Sequence, residues 1–392
     1  MVPKGWRFCK LADISRVTSG GTPNRAISEY WQNGTIPWIR TTEVQNCILQ
    51  PEDAKEYISE LGLRKSSAKL IPENTILLAM IGQGKTRGQI ALLKFEAAIN
   101  QNCAAIIFGK SQEPEFYYHY LLSQYENIRN LSNSAGQSNL SGALVKAINV
   151  LVPPYNEQKK IAQILSTWDK AISVTEKLLT NSQQQKKVLM QQLLTGKKRL
   201  LDERGGRYGG EWHRAELGAV LDYMQPTPYL VDSTDYNDSY SIPVLTAGKS
   251  FILGYTNEEH GIYHAPLPAI IFDDFTTDSK FVDFEFKAKS SAMKILTAKK
   301  GVSAKYIFEA MQMLKFKIGG HQRHWISIYS NLVIPIPDAK EQQKIAAVLS
   351  AADAEISTLE KKLACLRDEK KALMQQLLTG KRRVKVDEAV AE

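Results

Sequence analysis

The sequence predicts an α+β fold class: two α+β globular domains alternating with two long helices that pair with each other as a coiled coil, pseudo-twofold symmetric within one chain. Three observations carry this reading. Residues 157–199 and 341–383 align without a gap at a constant offset of 184, and 25 of the 43 aligned positions are identical. Such a period is far too long for a solenoid, so one domain-plus-helix unit is used twice. Each repeated segment carries apolar residues stepping alternately by four and three, a heptad seam. The segments preceding the two repeats share their opening and closing landmarks and little between them.

In chain order, residues 1–152 form the first globular domain. It opens with Trp6 five residues before Leu11 and closes on the apolar run NVLVPP. Stretches such as TILLAMI and CAAIIF read as buried strands, whereas EPEFYYHYLLSQYENIRNL has helical spacing. Residues 153–199 form the first long helix, with a seam at Ile161, Leu165, Trp168, Ile172, Leu179, Leu189 and Leu193, made weaker by Thr175, Ser182 and Lys186. Asn156 is its expected N-cap and Gly196 its left-handed C-cap. Residues 200–336 form the second domain. Trp212 stands five residues before Leu217, PAIIF and MKIL read as strands, SAKYIFEAMQML reads as a helix, and the domain closes on NLVIPIP. Residues 337–383 form the second long helix, with Ile345, Leu349, Ile356, Leu359, Leu363, Leu366, Leu373 and Leu377 in the seam and only Lys370 breaking it. Asp338 with Glu341 makes a capping box there, and Gly380 ends the helix. Between these signals each helix holds about 39 residues, about 58 Å of rod at 1.5 Å per residue. Residues 384–392 are a tail.

The 392 residues suit two or three domains, and the repeat settles on two. Lys and Arg number 50 against 41 Asp and Glu, a net charge of +9 that suits a polyanion, with KKR and KRR placed just after the helices. Cys9, Cys47, Cys103 and Cys365 lie far apart without CxxC spacing, which indicates neither a disulfide framework nor a zinc site and fits a reducing cytoplasm. The N-terminal MVPKGWRFCK lacks a signal-peptide core, and no apolar run reaches spanning length. The expectation is a cytoplasmic protein without a membrane partner.

The segment TSGGTPNRAISEYWQNGTIPWIRTTEV, the prolines leading into EQKKIA, and the exit LLTGK[KR]R in duplicate resemble the specificity subunit of type I restriction-modification enzymes. The resemblance covers nearly the whole chain. It implies two target-recognition domains joined by two helices that pair antiparallel, reading a two-part DNA target whose gap the helices set. The implied partners are double-stranded DNA, two modification (methyltransferase) subunits and restriction (translocase and nuclease) subunits. S-adenosylmethionine, ATP and Mg would belong to those partners, leaving this chain with no cofactor, no metal and no catalytic residue.

The alternative is a self-sufficient DNA methyltransferase, nuclease or ATPase. Residues 79–86, AMIGQGKT, satisfy a relaxed phosphate-loop pattern, but Arg87-Gly88-Gln89-Ile90 reads as a turn into another strand, whereas phosphate binding requires a helix N-terminus. Val152-Pro153-Pro154-Tyr155 resembles the NPPY motif of amino-methyltransferases with valine in place of the amine-binding residue. Asp273, Asp274, Asp278 and Lys280 resemble a metal-nuclease cluster, but their close spacing reads better as a loop of solvated charges. His260 with His264, and His321 with His324, lack an evident third ligand in the sequence.

Base reading needs side chains with paired donors and acceptors, and neighbouring glycines let a loop approach a groove closely. In the first domain the candidates are Arg40 and Thr41, then Gln83, Lys85 and Arg87, with Asn100-Gln101-Asn102, and Gln137, Ser138 and Asn139. In the second domain they are Lys249, His321, Gln322, Arg323 and His324, with Lys280 beside them.

Overall fold

A computed structural model of the protein describes residues 2–82, 84–134, 139–246, 250–314 and 324–386. The chain divides into two compact units, one of residues 1–175 with 362–392 and the other of residues 176–361. Each unit therefore holds a globular domain, the start of one long helix and the end of the other.

In the first unit a five-stranded sheet runs in the order Ser15–Ser19, Cys103–Phe108, Thr75–Ala79, Ile90–Leu93, Cys47–Leu49. Its central runs are apolar throughout because both faces are covered, and the period of two along a strand sorts their residues into two cores. Ile76, Leu78, Ile90, Leu92, Ala104 and Ile106 pack on one face with Phe116, Tyr117, Tyr120 and Leu121 of the helix Pro114–Ser123. Leu77, Ala79, Ala91, Leu93, Cys103 and Ala105 pack on the other with Ile39, Val44, Ile71, Ala97 and Ile99. Ile39, Ile71, Ala97 and Ile99 belong to a second sheet, Glu56–Ile58, Ile36–Ile39, Ala97–Ile99, Leu70–Ile71.

The second unit repeats this plan with other residues. Its sheet runs Leu221–Met224, Met293–Ala298, Ala269–Asp273, Ser279–Val282, beside a second sheet of Ile252–Thr256, Ile242–Leu245 and Lys287–Ala288. Ile270, Phe272 and Leu296 face Tyr306, Ile307, Ala310 and Met311 of the helix Ala304–Gln312, while Ala269, Ile271, Met293 and Ile295 face Leu245, Tyr263 and Phe286. The landmarks read from sequence become a small sheet in each unit: Arg7–Lys10 pairs with Asn149–Val152, and His213–Glu216 with Val333–Ile336, both antiparallel.

The long helices are Tyr155–Leu193 and Ala339–Leu377, 39 residues each. Gly196 and Gly380 follow them at φ +71° and +67°, the left-handed conformation of a C-cap. Asp338 accepts the Glu341 N–H at 2.9 Å as an N-cap, while the Glu341 carboxylate, expected to complete a capping box, bonds to Arg199 and Trp212 instead. The expected cap at Asn156 is corrected: Asn156 lies inside the first helix, and the Glu157 N–H bonds to the Pro154 carbonyl at 2.9 Å. Proline has replaced the capping aspartate at the corresponding position, so only its carbonyl can serve.

The seam residues bury their side chains unit by unit. Ile161 and Leu165 join the first unit's core together with Leu373 and Leu377, and Leu189, Leu193, Ile345 and Leu349 join that of the second. Leu363 is buried, and Trp168, Ile172, Leu179, Ile356, Leu359 and Leu366 are half-buried. The polar positions that weaken the seam in sequence have partners in space. Thr175 returns its hydroxyl to the Ala171 carbonyl, Ser182 donates to Glu355 at 2.8 Å, Lys186 reaches Asp353 at 2.5 Å and Glu309 at 3.1 Å, and Lys370 pairs with Asp169.

Gln158 and Gln342, counterparts in the repeat, lock each domain to its helix in the same way. Each donates to a proline carbonyl, of Pro153 or Pro337, at 2.9 Å, and accepts the N–H of Glu113 or Ser303, the N-caps of the domain helices, at 2.9 Å. Among the described residues no helix is long and apolar enough to cross a membrane.

Candidate DNA interface

In the first unit backbone hydrogen bonds draw the predicted loops to one end of the five-stranded sheet. The Asn100 N–H bonds to the Ile39 carbonyl, the Met80 N–H to the Asn102 carbonyl, and the Leu140 N–H to the Met80 carbonyl, at 2.9, 2.9 and 2.8 Å. Arg40 and Thr41, Lys85 and Arg87, and Asn139 are thereby brought into one neighbourhood. Gln83, Gln137 and Ser138 lie outside the described residues.

Residues 84–88 form a turn between the antiparallel strands Thr75–Ala79 and Ile90–Leu93. No helix follows Thr86, so the phosphate-loop pattern lacks the helix N-terminus that would bind an anion. Gly84 and Gly88 take φ values of +71° and +88°. Tyr125 donates to the Lys85 carbonyl at 2.6 Å and receives a hydrogen bond from Arg129 at 3.0 Å, fastening the turn while the Lys85 side chain stays exposed. Asn139 is exposed beside it.

Arg40 is committed elsewhere. Its guanidinium reaches Glu56 at 2.7 Å and Glu43 at 3.4 Å, and its N–H bonds to Glu43 at 2.9 Å, so any DNA contact must compete with two carboxylates. Sequence reasoning passed over the neighbouring SGGTP turn as a site element. The Gly21 N–H bonds to the Ile99 carbonyl at 2.9 Å, and a Cβ on Gly20 would stand 1.8 Å from that same oxygen. Thr22 then reaches Gln101 at 2.5 Å, and Arg25 stacks 3.7 Å over Trp31. The paired glycines were the available signal, since only a residue without Cβ allows so close a backbone approach.

In the second unit Lys249, His321, Gln322 and Arg323 lie outside the described residues. His324 corrects the expectation placed on it. Its side chain is fully buried and its Nδ1 is 2.8 Å from the Asp274 carbonyl, so the ring serves the core and does not face a groove. Asp273 and Asp274 are likewise corrected from solvated charges to buried turn-formers. Asp273 accepts the Phe275 and Thr276 N–H groups, and Asp274 accepts the Trp325 N–H at 2.9 Å. Asp278 remains exposed, and the half-buried Lys280 pairs with it at 3.5 Å.

His260 and His264 part company. His264 pairs with Glu285 at 2.8 Å, whereas His260 meets Asp232 at 2.8 Å and lies beside Glu258, distant residues that a reading of local spacing could not have supplied. The Lys287 ammonium occupies this group, pairing with Glu258 and donating to the His260 carbonyl.

One arrangement has the order of a hydrolytic triad. His119 Nε2 is 3.5 Å from Ser166 Oγ, and its Nδ1 is 3.8 Å from Asp169. Burial, reinforced by Lys370, lowers the His119 pKa to about 3, which deprives it of basicity. Ser166 already donates to Glu115, and Asp169 is neutralised by Lys370. The group is part of the packing, not a catalytic device.

The family described as the type I restriction modification DNA specificity domain matches residues 3–181 and again 210–366. The chain is 54% identical over 145 residues to the type I restriction enzyme EcoR124I/EcoR124II specificity subunit of Escherichia coli, covering 36% of this chain and 35% of that one. It is 30% identical over 179 residues to the MjaIX specificity subunit of Methanocaldococcus jannaschii, covering 45% and 40%. The alignments thus span well under half the length of these two relatives. The MjaVIII specificity subunit of the same archaeon aligns over 98% of this chain and 94% of its own at 22% identity. In fold, the crystal structure of the type I restriction-modification system S subunit from M. genitalium superposes with a TM-score of 0.69 at 14% identity, covering 96% of both chains.

Proposed function

From a chain that belongs to the type I restriction-modification DNA specificity family, we propose a non-catalytic subunit that reads a two-part DNA target, one half-site for each globular domain. The observation that carries this reading is the twofold occurrence of the family's domain, each copy spanning a globular domain and part of a long helix. Two unlike sets of loops on one repeated scaffold suit two unlike half-sites. The helices pair antiparallel as a coiled coil and set the gap. Support comes from Asp169 with Lys370 in one unit and Lys186 with Asp353 in the other, where residue numbers rise along one helix as they fall along its neighbour.

Modification subunits dock beside the two domains and carry S-adenosylmethionine to adenine, while restriction subunits bring ATP and Mg. The chain itself supplies base contacts from the loops around Lys85, Arg87 and Asn139 in the first domain and from Lys249, His321, Gln322 and Arg323 in the second. Mapping methylated adenines after co-expression with a type I modification subunit tests this. The expected result is one interrupted target with two different halves. Methylation by the chain alone, or an uninterrupted target, would overturn it.

A further inference from the structure

Both long helices interrupt their apolar seams with charge at corresponding places: Lys186 and Lys370 lie 184 residues apart, as do Asp169 and Asp353. Lys370 is 11% exposed against Asp169, and Lys186 is 16% exposed against Asp353. We infer that these two Lys–Asp pairs are positioning residues that select a single register for the helix pair, and with it a single presentation of the two half-site readers. This rests on the two-part reading proposed above.

In both pairs the two residue numbers add to the same value, so one antiparallel register satisfies all four charges. Sliding one helix by a heptad in one direction sets Asp169 against Leu377 and Asp353 against Leu193. Sliding it the other way sets Asp169 against Leu363 and Asp353 against Leu179. Either slip parts both pairs and sets Asp169 and Asp353, 31% and 38% exposed, against leucine, which leaves partly desolvated charges without their partners. Leucines alone discriminate less, because a heptad repeat presents the same apolar face again one heptad on, whereas a polar seam residue specifies register at some expense of stability.

The charges around each pair also balance. Lys186 and Asp353 share their layer with Lys305 and Glu309, which are 2.7 Å apart and the latter fully buried. Asp169 and Lys370 share theirs with His119, which stays neutral, and with Glu115, which is paired to Lys94 at 2.6 Å. The Asp169–Lys370 pair is the cleaner target, because among the described residues only His119, neutral at physiological pH, approaches it besides its partner.

The test uses the full chain assembled with type I modification subunits and maps methylation over targets of varied gap. Lys370→Asp should lower methylation at the native gap about tenfold, and adding Asp169→Lys should restore it to within about threefold, the coupling expected of residues in direct contact. The apolar pair Asp169→Leu with Lys370→Leu should melt no earlier than the parent yet accept gaps differing by about three base pairs, the equivalent of one heptad of helix rise. A well-folded apolar variant with the parent's gap selectivity, or a charge swap no better than the single reversal, would overturn the register role. A parent chain that recognises no two-part target would instead remove the reading on which it rests.

Discussion

Arg199 grips the fully buried Glu341 carboxylate with two hydrogen bonds of 2.7 Å, and the Trp212 indole donates to the same carboxylate at 2.9 Å. The other unit repeats the clasp with Arg383, Glu157 and Trp6. In both, an arginine just past the end of one long helix holds a glutamate at the start of the other, and each unit closes around the clasp. The second clasp is the more exposed: Arg383 is 41% exposed against 22% for Arg199.

Arg199→Ala should therefore destabilise its unit by about 3 kcal/mol, because a buried carboxylate loses its cation. Arg383→Ala should cost less, since its guanidinium is more solvated, with the loss kept appreciable by a Glu157 carboxylate only 7% exposed. Urea unfolding followed through tryptophan fluorescence measures both, and equal losses would contradict the difference in burial.

His119 gives the protein a pH dependence of known sign. Burial and Lys370 lower its pKa from 6.5 to about 3, so between those values the unfolded chain binds a proton that the folded chain does not. Stability contributed by the neutral ring is fully present above pH 6.5 and falls as pH drops toward 3. His119→Gln should flatten the fall in urea midpoint between pH 7 and pH 5. A variant as acid-sensitive as the parent in that window would assign the effect elsewhere.

Gly380 and Gly196 share a backbone conformation but not an environment. A Cβ on Gly380 would meet Pro3 at 2.4 Å, whereas one on Gly196 has Trp212 at 3.5 Å, an ordinary contact. Gly196→Ala should destabilise by about 1 kcal/mol from the left-handed backbone alone, and Gly380→Ala by more. Thermal melts of the two variants give the comparison.

Lys85 holds no described structural contact through its side chain, only through its carbonyl. Lys85→Ala should leave the melting temperature unchanged, weaken DNA binding by the assembled complex, and reduce the slope of log affinity against log salt by about one. An unchanged salt slope would remove Lys85 from the interface.

Lengthening the ruler requires both helices. One heptad inserted between Asp169 and Lys186, and another between Asp353 and Lys370, keeps both charged layers paired and adds about 10 Å, about three base pairs. The methylated target should keep its half-sites and widen its gap. An unchanged gap in a folded double insertion would place the spacing elsewhere.

The repeat, the seams, the terminal glycines and the strand runs were legible in sequence because each is a local pattern: identity at fixed offset, heptad period, left-handed caps, and apolar stretches bounded by turns. The two 39-residue helices emerge where those signals put them. The tertiary structure decided what local pattern cannot encode, namely the partner of each buried charge. Lys186 and Lys370 read as flaws in a seam until Asp353 and Asp169 stand opposite them. His324 reads as a DNA-facing polar residue until the fold turns it inward onto Asp274, and Asn156 reads as a cap until Pro154 takes the bond. Burial and pairing arise between residues distant in the chain, so a spacing along the sequence can name the group but not what it meets.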